Sequence, residues 1–297
     1  MTSPKVTVAI PTYQRGSVLI DTLKSVLKQE FEDFEVIIVD QTKGKTKEID
    51  SFLRQTKDSR IRYFAVMPPS LPAARNFAIS KSKSDIIIFI DDDVILKKNF
   101  IGQHYHLHTS RNDIKAVAGR ITYDGSVPSE KLFHFDWFGF ENHSFNFSEP
   151  QEATAFQGCN FSVKKEIAEK LSGFDTNYTK SSLREESDFA FRIRKEGYKI
   201  WYEPKASLHH LWAPSGGCRI HKPQKDSLSF YENDLYFSLK TKPAVVWPVV
   251  LSVKYFRYTG ARSIPVYFRR TKLFLKGLRY AISRKLNGKE IIQNPVD

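Results

Sequence analysis

Two cysteines, Cys159 and Cys218, are too few for a disulfide framework in a chain of 297 residues. The sequence therefore predicts free thiols and the cytoplasm or its membrane face, not an oxidising compartment. Long apolar runs are missing too. The tail stretch "AVVWPVVLSV" stops at about ten residues and holds Pro248, against the roughly 20 that a bilayer-spanning helix needs. The N-terminus, "MTSPKVTVAIPTYQRG", has no cleavable-signal pattern, because Pro11 and Arg15 close its short apolar run. Nor does the chain open on a glycine-rich triphosphate loop with a basic residue; "IPTYQRG" is a poor version of one. Acids are scarce at the other end. From Lys240 onward 13 Lys and Arg face only Glu290 and Asp297, so +11 of the +13 net charge sits in the tail and +2 in the rest.

With 41% hydrophobic and 27% charged residues, the chain reads as a folded globular protein of one large or two modest domains. "KVTVAIPTY" and "FEVIIVDQT" are short Val- and Ile-rich runs around the amphipathic "SVLIDTLKSVLKQ", the pattern of a βαβ unit whose parallel strands are buried on both faces. "RIRYFAV" and "SDIIIFIDDD" add two strands around the helical "LPAARNFAISKS". In open α/β sheets, ligands bind beyond the carboxyl ends of the strands. Asp40, closing "VIIVD", and Asp91, Asp92 and Asp93, closing "IIIFI", share that edge. Three adjacent acids suit either a solvated turn or a site for a metal or a metal-bound diphosphate.

The middle of the chain is less regular. "AVAGRITYDG" reads as a strand, and the aromatic "LFHFDWFGFENHSFNF" reads either as a loop packed by its own rings or as a wall facing a sugar or lipid. "GCNFSVKKEIAEKLSGFD" predicts a strand edge and a helix ended by Gly173, and "SLREESDFAFRIRKEGY" a helix closed by Gly197. "QHYHLH" has no Cys or acidic partner nearby and reads as structural. The tail mixes Lys and Arg with Tyr, Phe and Leu, the composition of helices lying in a membrane interface. Packed helices with basic outer faces, or a nucleic-acid arm, are the other readings. The large aliphatics favour an anionic membrane over nucleic acid.

Taken in order, "VAIPTYQR", "VIIVDQT", "AARN", "FIDDD" and "REESDFAFRIRKEGYKIWYEPKASLHH" resemble the family 2 glycosyltransferases, inverting sugar-nucleotide enzymes of the GT-A fold, over about residues 5–215. The resemblance implies an α/β fold with a mostly parallel central sheet. Residues 1–115 would form the nucleotide-sugar-binding half, 116–225 the acceptor-binding and catalytic-base half, and 226–297 a basic helical segment outside the pattern. It also implies a divalent ion, Mn²⁺ or Mg²⁺, bound through carboxylates and the donor's phosphates. Asp93 matches the family's metal ligand, and Asp91 reaches the ribose or the metal. Asp92 is the ambiguous third acid. His210 matches the histidine that completes the metal site, with His209 a bystander. Asp40 matches the acid that contacts the nucleotide base, although Gln41 stands where the family often has Asp or Asn. Arg75 falls near the base and diphosphate, and Pro11, Thr12 and Tyr13 line the same pocket. Register places Glu186 at the general-base position, with Glu185 beside it. Against this stands Asp188, which could pair with Arg192 four residues on.

The resemblance thus predicts a hexosyltransferase-type enzyme of cell-surface polysaccharide or glycolipid synthesis, peripheral on the inner face of the membrane. It would take a nucleotide-sugar donor, UDP-linked by default, and a saccharide or lipid-linked acceptor. A nucleotidyltransferase and a non-enzymatic module that binds anionic surfaces are the competing readings. The second leaves all five motifs unexplained.

Overall fold

A computed structural model describes residues 3–217, 226–260 and 263–287; Cys218, Glu290 and Asp297 lie outside them. The chain opens with β1 (Val6–Thr12), α1 (Ser17–Leu27), β2 (Phe34–Asp40), α2 (Lys47–Thr56), β3 (Ile61–Ala65), α3 (Leu71–Lys81) and β4 (Ile86–Ile90). These four strands pair in parallel in the order β3-β2-β1-β4. Every residue of β1, β2 and β4 is buried, which is why they read as continuous apolar runs. Because β2 lies on one side of β1 and β4 on the other, the chain reverses direction between β1 and β4. That is where a crevice opens beyond the strand ends, and Pro11, Thr12 and Asp91–Asp93 stand at its mouth.

The second half consists of β5 (Val94–Leu96), α4 (Phe100–Ser110), β6 (Ile114–Thr122), the short β7 (His134–Phe135) and β8 (Glu141–Asn142), β9 (Gln151–Ala153), β10 (Asn160–Lys164), α5 (Lys165–Lys170), α6 (Glu185–Lys195) and β11 (Lys199–His210). Here the sheet becomes mixed. β10 runs antiparallel between β4 and β6, while β11 is parallel to β6 and antiparallel to β5 and β9. One register matters most: His210 of β11 is opposite Val94, the residue after Asp93. That pairing brings the histidine back to the acids across more than a hundred residues of chain.

The "QHYHLH" histidines are interior. His104 and His108 of α4 both contact the Ser162 hydroxyl at 2.8 Å behind β10. Burial pushes the His104 pKa down to about 4, so both rings work as neutral hydrogen-bonding groups of the core. The aromatic segment is packed by its own rings, with Phe133 stacked on Phe145. It also meets the C-terminal helices, Phe135 against Phe237 and Phe140 against Tyr258.

Those helices are α7 (Leu228–Thr241), α8 (Trp247–Thr259) and α9 (Ile264–Asn287). Their inner faces form a second apolar cluster around Tyr231, Leu235, Tyr258 and Phe274. The described tail helices pack on the folded body, as the packed-helix reading expects. Several of their cations are internal: Lys240 pairs with Asp175 and Asp188 at 2.6 and 2.8 Å, and Lys254, fully buried, pairs with Asp234 at 2.5 Å. Outward, Phe256, Ile264, Phe268, Leu275 and Leu286 are exposed among Lys and Arg. No helix among the described residues is long and apolar enough to cross a membrane.

Candidate active site

Three adjacent carboxylates repel one another unless something cationic stands among them. The chain supplies one cation itself, Arg15, just after β1. Its Nε donates to Asp92 Oδ1 at 3.1 Å and its Nη2 to Asp93 Oδ2 at 3.3 Å, with the whole group buried. Thr12 donates to the other oxygen of Asp92 at 2.7 Å, so both oxygens of that acid are engaged inside the protein. Burial still pushes the Asp92 pKa up to about 7, against the opposing pull of Arg15 and Thr12. Asp92 is thus the acid that fixes the turn. The Ala213 amide also donates to Asp93 Oδ2 at 3.0 Å.

Asp91 and the second oxygen of Asp93 both approach His210. His210 Nε2 lies 3.6 Å from Asp91 Oδ2 and 3.6 Å from Asp93 Oδ1. Two carboxylates on either side of one imidazole are donors of the kind Mn²⁺ takes. His210 Nδ1 accepts from the Trp212 amide at 3.1 Å, which puts the ring proton of the neutral form on Nε2. Ligation through Nε2 would use the opposite tautomer, and the Trp212 amide would have to turn away. His209 stays outside this group, with Nε2 3.2 Å from Asp124.

The general-base candidates sit at the first turn of α6. Glu185 is buried and forms an ion pair with Arg75 of α3. The Arg75 Nη2 also donates to the Gly158 carbonyl at 2.9 Å and lies 3.9 Å from Asp91 Oδ1. Arg75 therefore ties the base helix, the turn before β10 and the acidic turn together. Glu186 is half-buried, with its Oε1 accepting from the Ser187 hydroxyl at 3.2 Å. Burial raises its pKa, opposed by Arg75. Asp188 is fully buried and bonded to Arg192 at 2.8 Å, as the four-residue spacing predicts. The residue before this helix, Arg184, has φ +77° and is held by Asp234 at 2.9 Å and Glu141 at 2.5 Å.

A single cavity of about 310 Å³ collects these groups: Pro11, Thr12, Tyr13, Arg75, Asp91, Asp92, Asp93, Glu185, Glu186 and His210 all line it. Asp40 is the exception. Its carboxylate is turned to the Tyr63 hydroxyl at 2.6 Å and the Thr42 amide at 2.8 Å, and Gln41 lines the cavity in its place. Gln41 is held by the Ser70 amide, which donates to Oε1 at 3.0 Å. Sequence reasoning also passed over Arg15, Cys159 and Trp212 as lining residues. The quoted "VAIPTYQR" contained Arg15, but nothing in sequence spacing shows that it reaches acids more than 70 positions away.

Comparison with known proteins gives the family and the fold. A family model described as glycosyl transferase family 2 matches residues 7–172. An uncharacterized glycosyltransferase of Rickettsia bellii is 38% identical over 96 residues, which is 32% of this chain and only 14% of that protein. The O-antigen chain rhamnosyltransferase RfbN of Salmonella typhimurium is 23% identical across 95% of this chain and 99% of its own. Among solved structures, GalNAc-T7 with UDP, GalNAc and Mn²⁺ superimposes with a TM-score of 0.64 at 17% identity, covering 95% of this chain and 58% of that one. At that identity the likeness is one of fold, an α/β GT-A-like sheet with C-terminal helices.

Proposed function

As the chain belongs to glycosyl transferase family 2 and is a glycosyltransferase, we propose that it moves a sugar from a nucleoside-diphosphate donor, UDP-linked by preference, to a hydroxyl acceptor by a metal-dependent, inverting displacement. The observation that carries this reading is the cavity in which Asp91 and Asp93 both stand 3.6 Å from His210 while Glu186 stands on the same walls. A divalent ion held by those three residues would neutralise the charge that builds on the diphosphate as the anomeric C–O bond breaks. Glu186 takes the proton of the attacking hydroxyl, the role its position at a helix N-terminus and its raised pKa suit. Arg75, paired with Glu185, holds the base helix against the acidic turn. Gln41 takes over the base-facing position that Asp40 leaves.

The acceptor belongs to cell-surface polysaccharide or glycolipid synthesis. The Salmonella relative acts on O-antigen chains by its name, and another relative, from Escherichia coli, is named as a putative colanic acid biosynthesis glycosyl transferase. Such acceptors fit a protein that rests on the membrane. The exposed Phe256, Ile264, Phe268 and Leu275 of α8 and α9, set among basic residues, match an anionic lipid surface, where each Lys or Arg contributes about 1 kcal/mol. Salt-reversible sedimentation with anionic vesicles, and none with neutral ones, checks that face.

The test of the reaction is nucleoside diphosphate release from UDP-, GDP- and dTDP-sugars, with Mn²⁺, with Mg²⁺ and with chelator. One nucleotide class should support release, chelation should reduce it to background, and Asp93→Ala should abolish it. Turnover by Asp93→Ala within a few-fold of the parent at saturating Mn²⁺ contradicts the metal assignment. Pyrophosphate release from a nucleoside triphosphate and a sugar phosphate would instead identify a nucleotidyltransferase.

A further inference from the structure

Cys159 stands where oxygen-seeking ions such as Mg²⁺ gain little from it. It is buried, 2% exposed, and lines the cavity just before β10. Its Sγ, an Asp91 carboxylate oxygen and a ring nitrogen of His210 all lie within 4.8 Å of one another. Among the described residues this is the group of His, Cys, Asp and Glu side chains close enough to share an ion. Two features fix the thiol there. The Asn160 amide donates to the Gln157 carbonyl at 3.0 Å, closing a tight turn around Gly158 and Cys159. Arg75 grips that turn through the Gly158 carbonyl, and a Cβ at Gly158 would stand 2.7 Å from Arg75 Nη2.

A carboxylate, an imidazole and a thiolate with one open position make up a ligand set of zinc chemistry. Bond lengths of about 2.0–2.3 Å to such ligands put ligand atoms a little over 3 Å apart around a tetrahedral ion, so these three, all within 4.8 Å of one another, would draw together on binding. Affinity for nitrogen, oxygen and sulfur donors also rises from Mn²⁺ through Co²⁺, with Zn²⁺ binding more tightly than Mn²⁺. We propose that Cys159, Asp91 and His210 form a three-ligand site for a thiophilic divalent ion, Zn²⁺, Co²⁺ or Cd²⁺, which excludes Mn²⁺ by occupying two of its ligands. On binding, the thiol S–H bond breaks, a sulfur–metal bond forms and the proton leaves to solvent. All three residues line the cavity, so a donor phosphate there could complete the coordination. The proposal rests on the assignment of Asp91 and His210 to a metal site. Its own content is the thiolate.

The experiment is Co²⁺ titration of the full chain, read by absorption, with Mn²⁺ binding followed in parallel by loss of the free-ion electron paramagnetic resonance signal. Wild-type protein should develop a thiolate-to-Co²⁺ charge-transfer band in the near ultraviolet together with tetrahedral ligand-field bands, and Zn²⁺ should bleach both. Cys159→Ser should lose the charge-transfer band and weaken Zn²⁺ more than Mn²⁺, with an unchanged circular dichroism spectrum. Cys218→Ser should keep the band. Mn²⁺ binding with Co²⁺ spectra that lack the band, or a band lost in Cys218→Ser and kept in Cys159→Ser, overturns this inference and leaves the oxygen–nitrogen site standing. Failure of both Mn²⁺ and Co²⁺ to bind removes the metal reading itself.

Discussion

Replacing Glu186 by Gln is expected to lower turnover by about 10²- to 10⁴-fold, the usual loss for a missing general base, while leaving donor binding nearly unchanged. The amide keeps the shape of the carboxylate and its place beside the Ser187 hydroxyl, but cannot accept the proton. The pH profile supplies the second readout. Burial raises the Glu186 pKa above its ordinary value, so the ionised form a base needs is lost at a higher pH than for a free glutamate. Activity should therefore rise with pH through that raised pKa, and the rise should vanish in the variant. Asp188→Asn should behave differently. Both Asp188 oxygens are held by cations, Arg192 at 2.8 Å and Lys240 at 2.8 Å, so its loss should appear in stability. If Asp188→Asn removes the acid limb and Glu186→Gln leaves turnover within a few-fold, the register of the base is wrong.

The largest stability effect is expected at Lys254. Its ammonium is fully buried against Asp234 at 2.5 Å, and the same carboxylate accepts from the Tyr258 hydroxyl at 2.8 Å and from Arg184 at 2.9 Å. Lys254→Met removes one of two cations from a buried acid, a change that typically costs about 3–5 kcal/mol because the remaining charge is under-compensated. Urea unfolding should show it as a lowered midpoint, and a midpoint unchanged from the parent contradicts the buried network. The consequence extends past stability. Arg184 immediately precedes Glu185, and the Asp234 contact helps to hold it at positive φ. α7 and α8 thus support the start of the helix that carries Glu185 and Glu186. Deleting residues 240–297 is expected to strip the cover from Tyr231 and Leu235 and to take Lys254 and Tyr258 from Asp234, leaving an unfolded or aggregated protein.

These two sites also show where sequence reading succeeds and where it stops. The alternation of strand-like and helical stretches over residues 6–90 made the parallel half of the sheet legible because strands buried on both faces are dominated by Val and Ile, even with Thr7 and Glu35 among them. The acidic turn and the Glu185–Glu186 pair were legible because their spacing to neighbouring elements is local. β10 slipping antiparallel between β4 and β6 was not, since strand pairing between distant segments leaves no periodicity in either. The tail's net charge overstates its outward face for an electrostatic reason. Lys240 and Lys254 were counted as surface charge, whereas their counter-ions, Asp175, Asp188 and Asp234, come from segments outside it and draw them inside. Cys159 carried no signal of its own, because a buried cysteine resembles any small apolar residue until Asp91 and His210 are placed beside it.

The central claim, a single displacement at the anomeric carbon assisted by Glu186, is tested most directly by the anomeric configuration of the first-formed product. Proton nuclear magnetic resonance can follow it as nucleoside diphosphate is released in the presence of Mn²⁺. The account predicts one equivalent of diphosphate per sugar transferred and a product whose anomeric centre is inverted relative to the donor. A product that retains the donor's configuration would contradict it.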